Sequence, residues 1–222
     1  MYQFAKRASD MLFSVTGLVV FSPAILLISL LIKMGSPGPV VYKGVRVGKS
    51  GKRFEVLKFR TMVDRAEQIG ASSTPDDDPR ITNIGKVLRR YKLDEIPQFI
   101  NVLRGEMSFV GPRPQVPWAV EEYSDEERAV LEVQPGIADY AFVVLPSEGE
   151  VLRGSSDPDR DYWEKVHPHK MRLSLEYVRQ RSIALDLKII VDTALLSFFR
   201  RRWFLKARSE EGNEIIQDSE RG

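Results

Sequence analysis

The 222-residue chain contains no cysteine, which excludes disulfide staples, thiolate zinc centres and a cysteine nucleophile, and is compatible with a reducing cytosol. Histidine is scarce too. The only two, His167 and His169, sit in His167-Pro168-His169-Lys170 with no third ligand in view, so the pair reads as a surface or helix-start feature rather than a metal centre. Charge of one sign is not in excess: 33 Lys plus Arg stand against 31 Asp plus Glu, a formal net charge of +2, which argues against nucleic acid as a partner. There is no glycine-rich phosphate loop, no dinucleotide fingerprint and no internal repeat. What remains is enough chain for one sizeable globular domain with attachments.

One segment departs from this profile. Residues 11–32 carry no charge and are flanked by Lys6, Arg7 and Asp10 before them and Lys33 after them. As a straight helix, at about 1.5 Å per residue, the segment reaches roughly 33 Å, just enough to cross a hydrocarbon core of about 30 Å. It is long for a signal-peptide core, and Met34-Gly35-Ser36-Pro37 is a poor cleavage site. Ser22 and Pro23 lie at its centre. Pro23 cannot donate to the Val19 carbonyl and its ring crowds that turn, whereas the Ser22 hydroxyl can satisfy a freed carbonyl, so a break is predicted there. Cations lie on both sides: Lys6 and Arg7 upstream; Lys33, Lys43, Arg46, Lys49, Lys52 and Arg53 downstream. Two architectures remain, a tilted spanning helix with a proline kink and a re-entrant hairpin of half-helices about 16 Å long each.

Downstream, Ser36-Pro37-Gly38-Pro39 is a rigid exit turn, and residues 45–47 and 54–60 read as a β-hairpin about a glycine-bearing turn, with Lys58 and Arg60 on one strand face. Those cations suit phosphate or merely water. Residues 64–69 are predicted helical. Asp76-Asp77-Asp78 reads as a solvated turn, with metal binding the less favoured alternative. Residues 84–91 form a short amphipathic helix, and Gly111-Pro112-Arg113-Pro114 fixes the backbone around one guanidinium. Ser124 with Glu127 is a capping box opening a helix through Leu131, and residues 140–145 are predicted to be a buried strand. Helices are predicted over residues 170–181 and 185–208. The second carries clustered apolar residues before Arg200-Arg201-Arg202-Trp203, and reads either as an interfacial helix at anionic headgroups or as a core helix with a basic end. From Ser209 the tail is polar and is predicted to be disordered.

The densest chemistry is Leu93-Asp94-Glu95-Ile96-Pro97-Gln98. Pro97 predicts a helix start, running through residues 98–103 to a stop at Gly105 and placing two adjacent carboxylates at its positive end. Such an aspartate could be a nucleophile, a metal ligand or a helix-start residue.

Taken in order, these segments resemble the bacterial sugar transferases, specifically the small monotopic phosphoglycosyl transferases. The resemblance rests on the Ser22-Pro23 break, Ser36 to Val40, Tyr42-Lys43 with Arg46 and Gly48, and Lys58-Phe59-Arg60-Thr61-Met62. It continues through Asp78-Pro79-Arg80-Ile81-Thr82 with Gly85, the Leu93 to Gln98 motif, Asn101-Val102-Leu103-Arg104-Gly105, Met107-Ser108 and Val110-Gly111-Pro112-Arg113-Pro114. It implies an α+β, mainly helical fold: a re-entrant membrane helix-break-helix hairpin over residues 1–35, then a cytosolic catalytic domain over residues 36–208 with a small β-hairpin and interfacial amphipathic helices, then a tail over 209–222. The short N-terminus fits the small form.

The implied reaction moves a sugar 1-phosphate from a UDP-sugar to a polyprenyl phosphate of the undecaprenyl type, releasing UMP, as the first membrane step of glycoconjugate assembly such as exopolysaccharide or O-antigen. By resemblance, Asp94 is the nucleophile forming an aspartyl phospho-sugar intermediate, and Glu95 is a metal ligand or base. Asp94 and Glu95 hold Mg²⁺, and Lys58, Arg60, Arg80, Arg89 and Arg113 bind phosphate or nucleotide. The implied location is the cytosolic face of the bacterial cytoplasmic membrane, both termini cytosolic, in contact with membrane lipids. A homodimer and downstream glycosyltransferases are candidate partners. Many relatives carry Pro-Gly-Ile-Thr-Gly where this chain has Pro135-Gly136-Ile137-Ala138-Asp139, a departure at the place where donor-sugar recognition would be carried over. The competing function is a non-catalytic membrane-anchored scaffold that recruits glycan-assembly enzymes.

Overall fold

The computed structural model describes residues 2–71, 73–145 and 148–198. The apolar segment breaks where Ser22 and Pro23 dictate. Helix α1 (Tyr2–Val20) and helix α2 (Ser22–Gly35) are bent by 62°. The Ser22 hydroxyl donates to the Val19 carbonyl at 2.8 Å, replacing the bond that Pro23 cannot make. No single helix among the described residues is long and apolar enough to cross a membrane, although the bent pair together passes by length and composition.

Helix α1 starts well before the apolar run and spans roughly 28 Å, longer than the half-helix expected from sequence. Its polar first turns have partners on the rest of the chain, which explains the extension. The Arg7 guanidinium donates to the Val102 and Leu103 carbonyls (2.6 and 2.9 Å), Lys6 pairs with Asp186 at 2.8 Å, and buried Asp10 accepts from the Ser108 hydroxyl and the Phe109 amide. Beyond those turns α1 exposes Met11, Leu12, Val15, Val19 and Val20.

Strands β1 (Val41–Val47) and β2 (Arg53–Phe59) form the expected antiparallel hairpin, with Tyr42 opposite Lys58. Helix α3 (Asn83–Arg90) begins at the Thr82 side-chain cap. A tight turn over Leu93–Glu95 leads into helix α4 (Gln98–Arg104), which Gly105 ends in the left-handed conformation at φ 77°. Pro97 therefore does open a helix that stops at Gly105. Strand β3 (Ser108–Val110) is followed by helix α5 (Pro117–Glu121), and β3 pairs in parallel with β4 (Gly136–Ala138). Then come helices α6 (Tyr140–Val144), α7 (Glu148–Val151), α8 (Pro158–Asp161), α9 (His167–Gln180) and α10 (Ile183–Phe198).

Several sequence expectations need correction. Residues 140–144 are a helix, not a strand, because the Asp139 carboxylate accepts from the Ala141 amide and caps it. The predicted helix over 64–69 shrinks to a single turn, Ala66–Gln68. Ser124 and Glu127 do form the reciprocal capping box, but it opens a 3₁₀ stretch over Glu127–Glu132 rather than an α-helix. His167 starts α9 as expected and is buried rather than on the surface, its Nε2 lying 2.8 Å from Glu127 Oε1. Helix α10 packs into the core on one face and leaves apolar residues exposed on another: Ile189 is buried with Val110, Val143 and Tyr177, while Leu187, Val191 and Leu195 are exposed. The Arg200 to Trp203 cluster and the tail from Ser209 lie outside the described residues.

Two contacts fix the elements around the acidic pair. Ile28 and Ile32 of α2 pack with Phe59, Leu88 and Ile96, so the hairpin's second arm supports the turn that carries Asp94 and Glu95. Fully buried Asn101 joins α4 to β2: its Oδ1 accepts from the Leu57 amide at 2.9 Å, and its Nδ2 donates to the Glu55 carbonyl at 2.7 Å. Asn101→Ala strands the buried Leu57 amide, at about 1–3 kcal/mol, and frees the part-buried Glu55 carbonyl at a smaller cost, while the emptied core position adds its own. The expected result is a loss of about 2–4 kcal/mol in unfolding free energy, read by denaturation in detergent; a loss below about 0.5 kcal/mol contradicts the assignment.

Candidate active site

Lys92 sits at φ 57°, a left-handed conformation costing a non-glycine residue about 1–2 kcal/mol, and it turns the chain into the Leu93–Glu95 turn. The turn holds both carboxylates inward: Asp94 and Glu95 are 7% and 6% exposed. Two ionised carboxylates buried side by side need cations, and the fold supplies them from separate elements. From the loop after β3, Arg113 donates to Glu95 Oε1 at 2.6 Å; from β2, Lys58 approaches the same oxygen at 3.3 Å. Burial alone would raise the Glu95 pKa, but Arg113, Lys58 and Lys92 hold it well below the usual carboxylate range. Lys58 is pushed down to about 8, because burial outweighs the pull of Glu95. Glu95 in turn lifts Arg113 above its usual value.

Asp94 is placed differently. Its Oδ1 is buried with no hydrogen-bond partner, an oxygen left available beside a cationic wall. Arg89 of α3 belongs to that wall. Its Nε donates to the Thr61 hydroxyl at 2.9 Å; burial lowers its pKa, while Asp94 and Asp78 counter that shift. Thr61 is thereby a positioning residue that the sequence reading passed over. A cavity of about 160 Å³ opens beside the turn, lined by Lys92, Glu95 and Arg113 on its polar side and by apolar groups including Phe21, Phe99 and Phe142.

Of the basic residues singled out from sequence, Lys58, Arg89 and Arg113 converge on the acidic pair. The structure places Arg60 and Arg80 elsewhere, in internal clamps. Arg60 is buried and donates to the Ser36 and Pro37 carbonyls and the Ser36 hydroxyl, bracing the turn that leaves α2. Gly38, at φ 114°, is required there, since a side chain would collide with the Arg60 guanidinium. Arg80 grips the Asp78 carboxylate through Nε and Nη2 (3.0 and 2.7 Å) and donates to the Ala66 and Ala71 carbonyls at 2.9 Å. Of the aspartate triplet, Asp78 is the ion-pair partner of Arg80 and Asp76 lies 3.5 Å from Arg153.

Sequence reasoning missed Lys92 and Arg46 as members of the site. Lys92 had a visible signal, a cation one residue away from the Leu93-Asp94-Glu95 motif. Arg46 lies near Arg113: burial, and then that like charge, lower its pKa against the pull of Tyr42. Four cations, Lys58, Arg89, Lys92 and Arg113, thus act on two carboxylates, and Arg46 stands behind them beside Arg113.

The two acids can hold a hard cation in part. Mg²⁺ takes one or two carboxylates and completes its shell with water and substrate phosphate, which fits the unpartnered Asp94 oxygen and its neighbour Glu95. The ion pairs give a stability test. Glu95→Ala removes the counter-ion of Arg113 and Lys58 and is expected to cost about 1–3 kcal/mol, below the roughly 3–5 of a fully buried pair because both cations keep some water. Denaturation midpoints for Glu95→Ala against Glu95→Gln check it, with equal midpoints for wild type and Glu95→Ala as the contrary result.

The sequence is 44% identical over 195 residues to the UDP-N-acetylgalactosamine-undecaprenyl-phosphate N-acetylgalactosaminephosphotransferase of Aeromonas hydrophila, covering 86% of this chain and 43% of that protein. It is 36% identical over 199 residues to the UDP-glucose:undecaprenyl-phosphate glucose-1-phosphate transferase of Escherichia coli (strain K12), covering 88% and 40%. It is 38% identical over 210 residues to the exopolysaccharide production protein PSS of Rhizobium leguminosarum bv. phaseoli, covering 90% and 98%. The chain therefore spans about two fifths of the length of the first two relatives and nearly all of the third. The bacterial sugar transferase profile matches residues 1–200, carrying the acidic pair, its cations and the broken helix, and the chain belongs to that family.

Proposed function

We propose that the protein is a phosphoglycosyl transferase that moves a sugar 1-phosphate from a UDP-sugar to a polyprenyl phosphate of the undecaprenyl type, at the cytosolic face of the bacterial cytoplasmic membrane. The observation that carries this reading is the surplus of positive charge around a buried carboxylate pair whose Asp94 Oδ1 has no partner. A site that only stabilised its own carboxylates would not need that surplus. A site that receives a diphosphate does. The relatives' names point to the same chemistry, since two of them name undecaprenyl phosphate as acceptor.

In this mechanism an Asp94 oxygen forms a bond to the sugar-bearing phosphorus while the bond from that phosphorus to the oxygen bridging to UMP breaks, and UMP leaves with the electron pair. An oxygen of the acceptor's phosphate then bonds to the same phosphorus, and the Asp94 carboxylate leaves unchanged. Arg113 and Lys58 hold Glu95 ionised beside the reaction, and Arg89, braced by Thr61, supplies charge next to Asp94. Asp94 and Glu95 would hold Mg²⁺, which would supply charge neutralisation between the two anions. Arg60 and Arg80 act at one remove, by shaping the loops behind the site.

The hairpin serves the same end. A re-entrant α1 and α2 would enter and leave on one face, and α2 packs on the turn carrying Asp94, so catalytic depth is set by contact rather than by tether length. The exposed apolar stripe Leu187, Val191 and Leu195 gives α10 an interfacial role beside it.

With a UDP-sugar, polyprenyl phosphate and Mg²⁺, the wild type is expected to release UMP, and Asp94→Asn to lower the rate by about a thousandfold or more. Full turnover in Asp94→Asn would sink the nucleophile assignment. Silence toward a broad donor panel from folded protein would favour the scaffold. Reporters at both termini are expected to lie in the cytosol; opposite sides would contradict the re-entrant hairpin.

A further inference from the structure

Lys92 is the one cation at the site, among the described residues, whose side chain makes neither an ion pair nor a hydrogen bond; Arg46 donates to the Val45 carbonyl. Lys58 and Arg113 are committed to Glu95, Arg89 donates to Thr61, and Arg60 and Arg80 clamp backbone carbonyls. The Lys92 ammonium has no carboxylate within ion-pair distance among the described residues, and it lies 4.5 Å from the centre of the Phe142 ring. The local backbone is strained to put it there. Three non-glycine residues among those described have positive φ; Ser50 and Arg65 belong to surface turns, and only Lys92 fronts a cavity. A strained, half-buried cation kept free of its neighbours is an unfilled binding position.

The cavity says what fills it. Its charged side is Lys92, Glu95 and Arg113; the rest is mostly apolar, with Phe21 from the break between α1 and α2, Ile96 and Phe99 beyond the acidic pair and Phe142 from α6, and with the hydroxyls of Thr193 and Ser197 on α10. Its far wall is Ala194 and its neighbours on α10, the helix that exposes Leu187, Val191 and Leu195. The cavity, of about 160 Å³, sets cations on one side of a mostly apolar lining, which suits an amphiphile with one anionic head and hydrocarbon behind it.

We propose that Lys92 docks the terminal phosphate monoester of the lipid acceptor, with the first hydrocarbon units of that lipid lying along Phe21, Phe99 and Phe142. This rests on the transferase reading for the identity of the acceptor. The acceptor phosphate held at Lys92 would approach the sugar-bearing phosphorus on the side that UMP has left, in line with the Asp94 bond it displaces. Phe142 then has two tasks, covering the ammonium when the site is empty and the hydrocarbon when it is filled.

The test is a binding measurement on the full chain in phosphatidylcholine nanodiscs, with undecaprenyl phosphate, undecaprenol, phosphatidic acid and inorganic phosphate as probes. The wild type is expected to prefer undecaprenyl phosphate over undecaprenol by about tenfold or more, as a charge-assisted contact predicts. Lys92→Gly is the decisive variant because glycine suits φ 57°: its unfolding midpoint should match or exceed that of wild type while the preference for the phosphate falls by about tenfold. Lys92→Arg should keep the preference within about threefold. Under turnover, Lys92→Gly should raise KM for the lipid acceptor by a larger factor than it lowers kcat. Undiminished preference in Lys92→Gly overturns the proposal, as does equal competition by phosphatidic acid or inorganic phosphate, which would make the site a general anion pocket. If no donor yields UMP, the transferase reading fails on its own, and the binding arm still decides Lys92.

Discussion

Two carboxylates at adjacent positions, each more than nine-tenths buried, are the constraint on which the rest of this structure depends. Water cannot stabilise them there, so the protein must. Glu95 is compensated by Arg113 and Lys58, with Lys92 adding to them, and stays charged. Asp94 is left with an unpartnered oxygen next to cations that other groups restrain. The division of labour follows from that difference. One acid is locked into the electrostatics of the site, and the other remains available for chemistry.

That arrangement would be useless to a lipid-borne substrate if it floated at an arbitrary height. Packing addresses this directly: Ile28 and Ile32 of the broken apolar segment share a core with Leu88 and Ile96, on either side of the acidic turn. At the other end of the hairpin, Arg7 caps the C-terminal carbonyls of α4, and Asp10 accepts from Ser108 and Phe109 at the start of β3. Both arms are therefore joined to the elements that flank the site. A shift of the hairpin would move Asp94 with it.

What could be read from sequence was local. The Ser22 and Pro23 break, the start at Pro97 and stop at Gly105, and the Ser124 and Glu127 box are set by groups within four residues of each other or, for Pro97 and Gly105, by one residue's own backbone preference. The misreadings have distant or ambiguous causes. Residues 140–144 are apolar enough for a strand, and only the Asp139 cap tips them to helix. Residues 64–69 lose their helix where Arg80 takes the Ala66 and Ala71 carbonyls from across the loop. Whether an arginine serves substrate or scaffold is likewise non-local: Arg60 and Arg89 look alike in sequence, yet one braces the exit turn and the other faces the acidic pair. Lys92 could be flagged by its place next to the acidic motif, but not its aim into the cavity, since lysine has no preference for the left-handed backbone that turns it there.

The central claim is that Asp94 becomes covalently bonded to the sugar-bearing phosphorus. Intact-protein mass spectrometry after brief exposure to Mg²⁺ and the donor UDP-sugar, with no lipid acceptor, tests it most directly. The account predicts a mass increase of one sugar phosphate that maps to the peptide containing Asp94 and disappears when polyprenyl phosphate is added. UMP release that requires the acceptor from the outset, with no adduct at any time, would contradict it and indicate direct displacement.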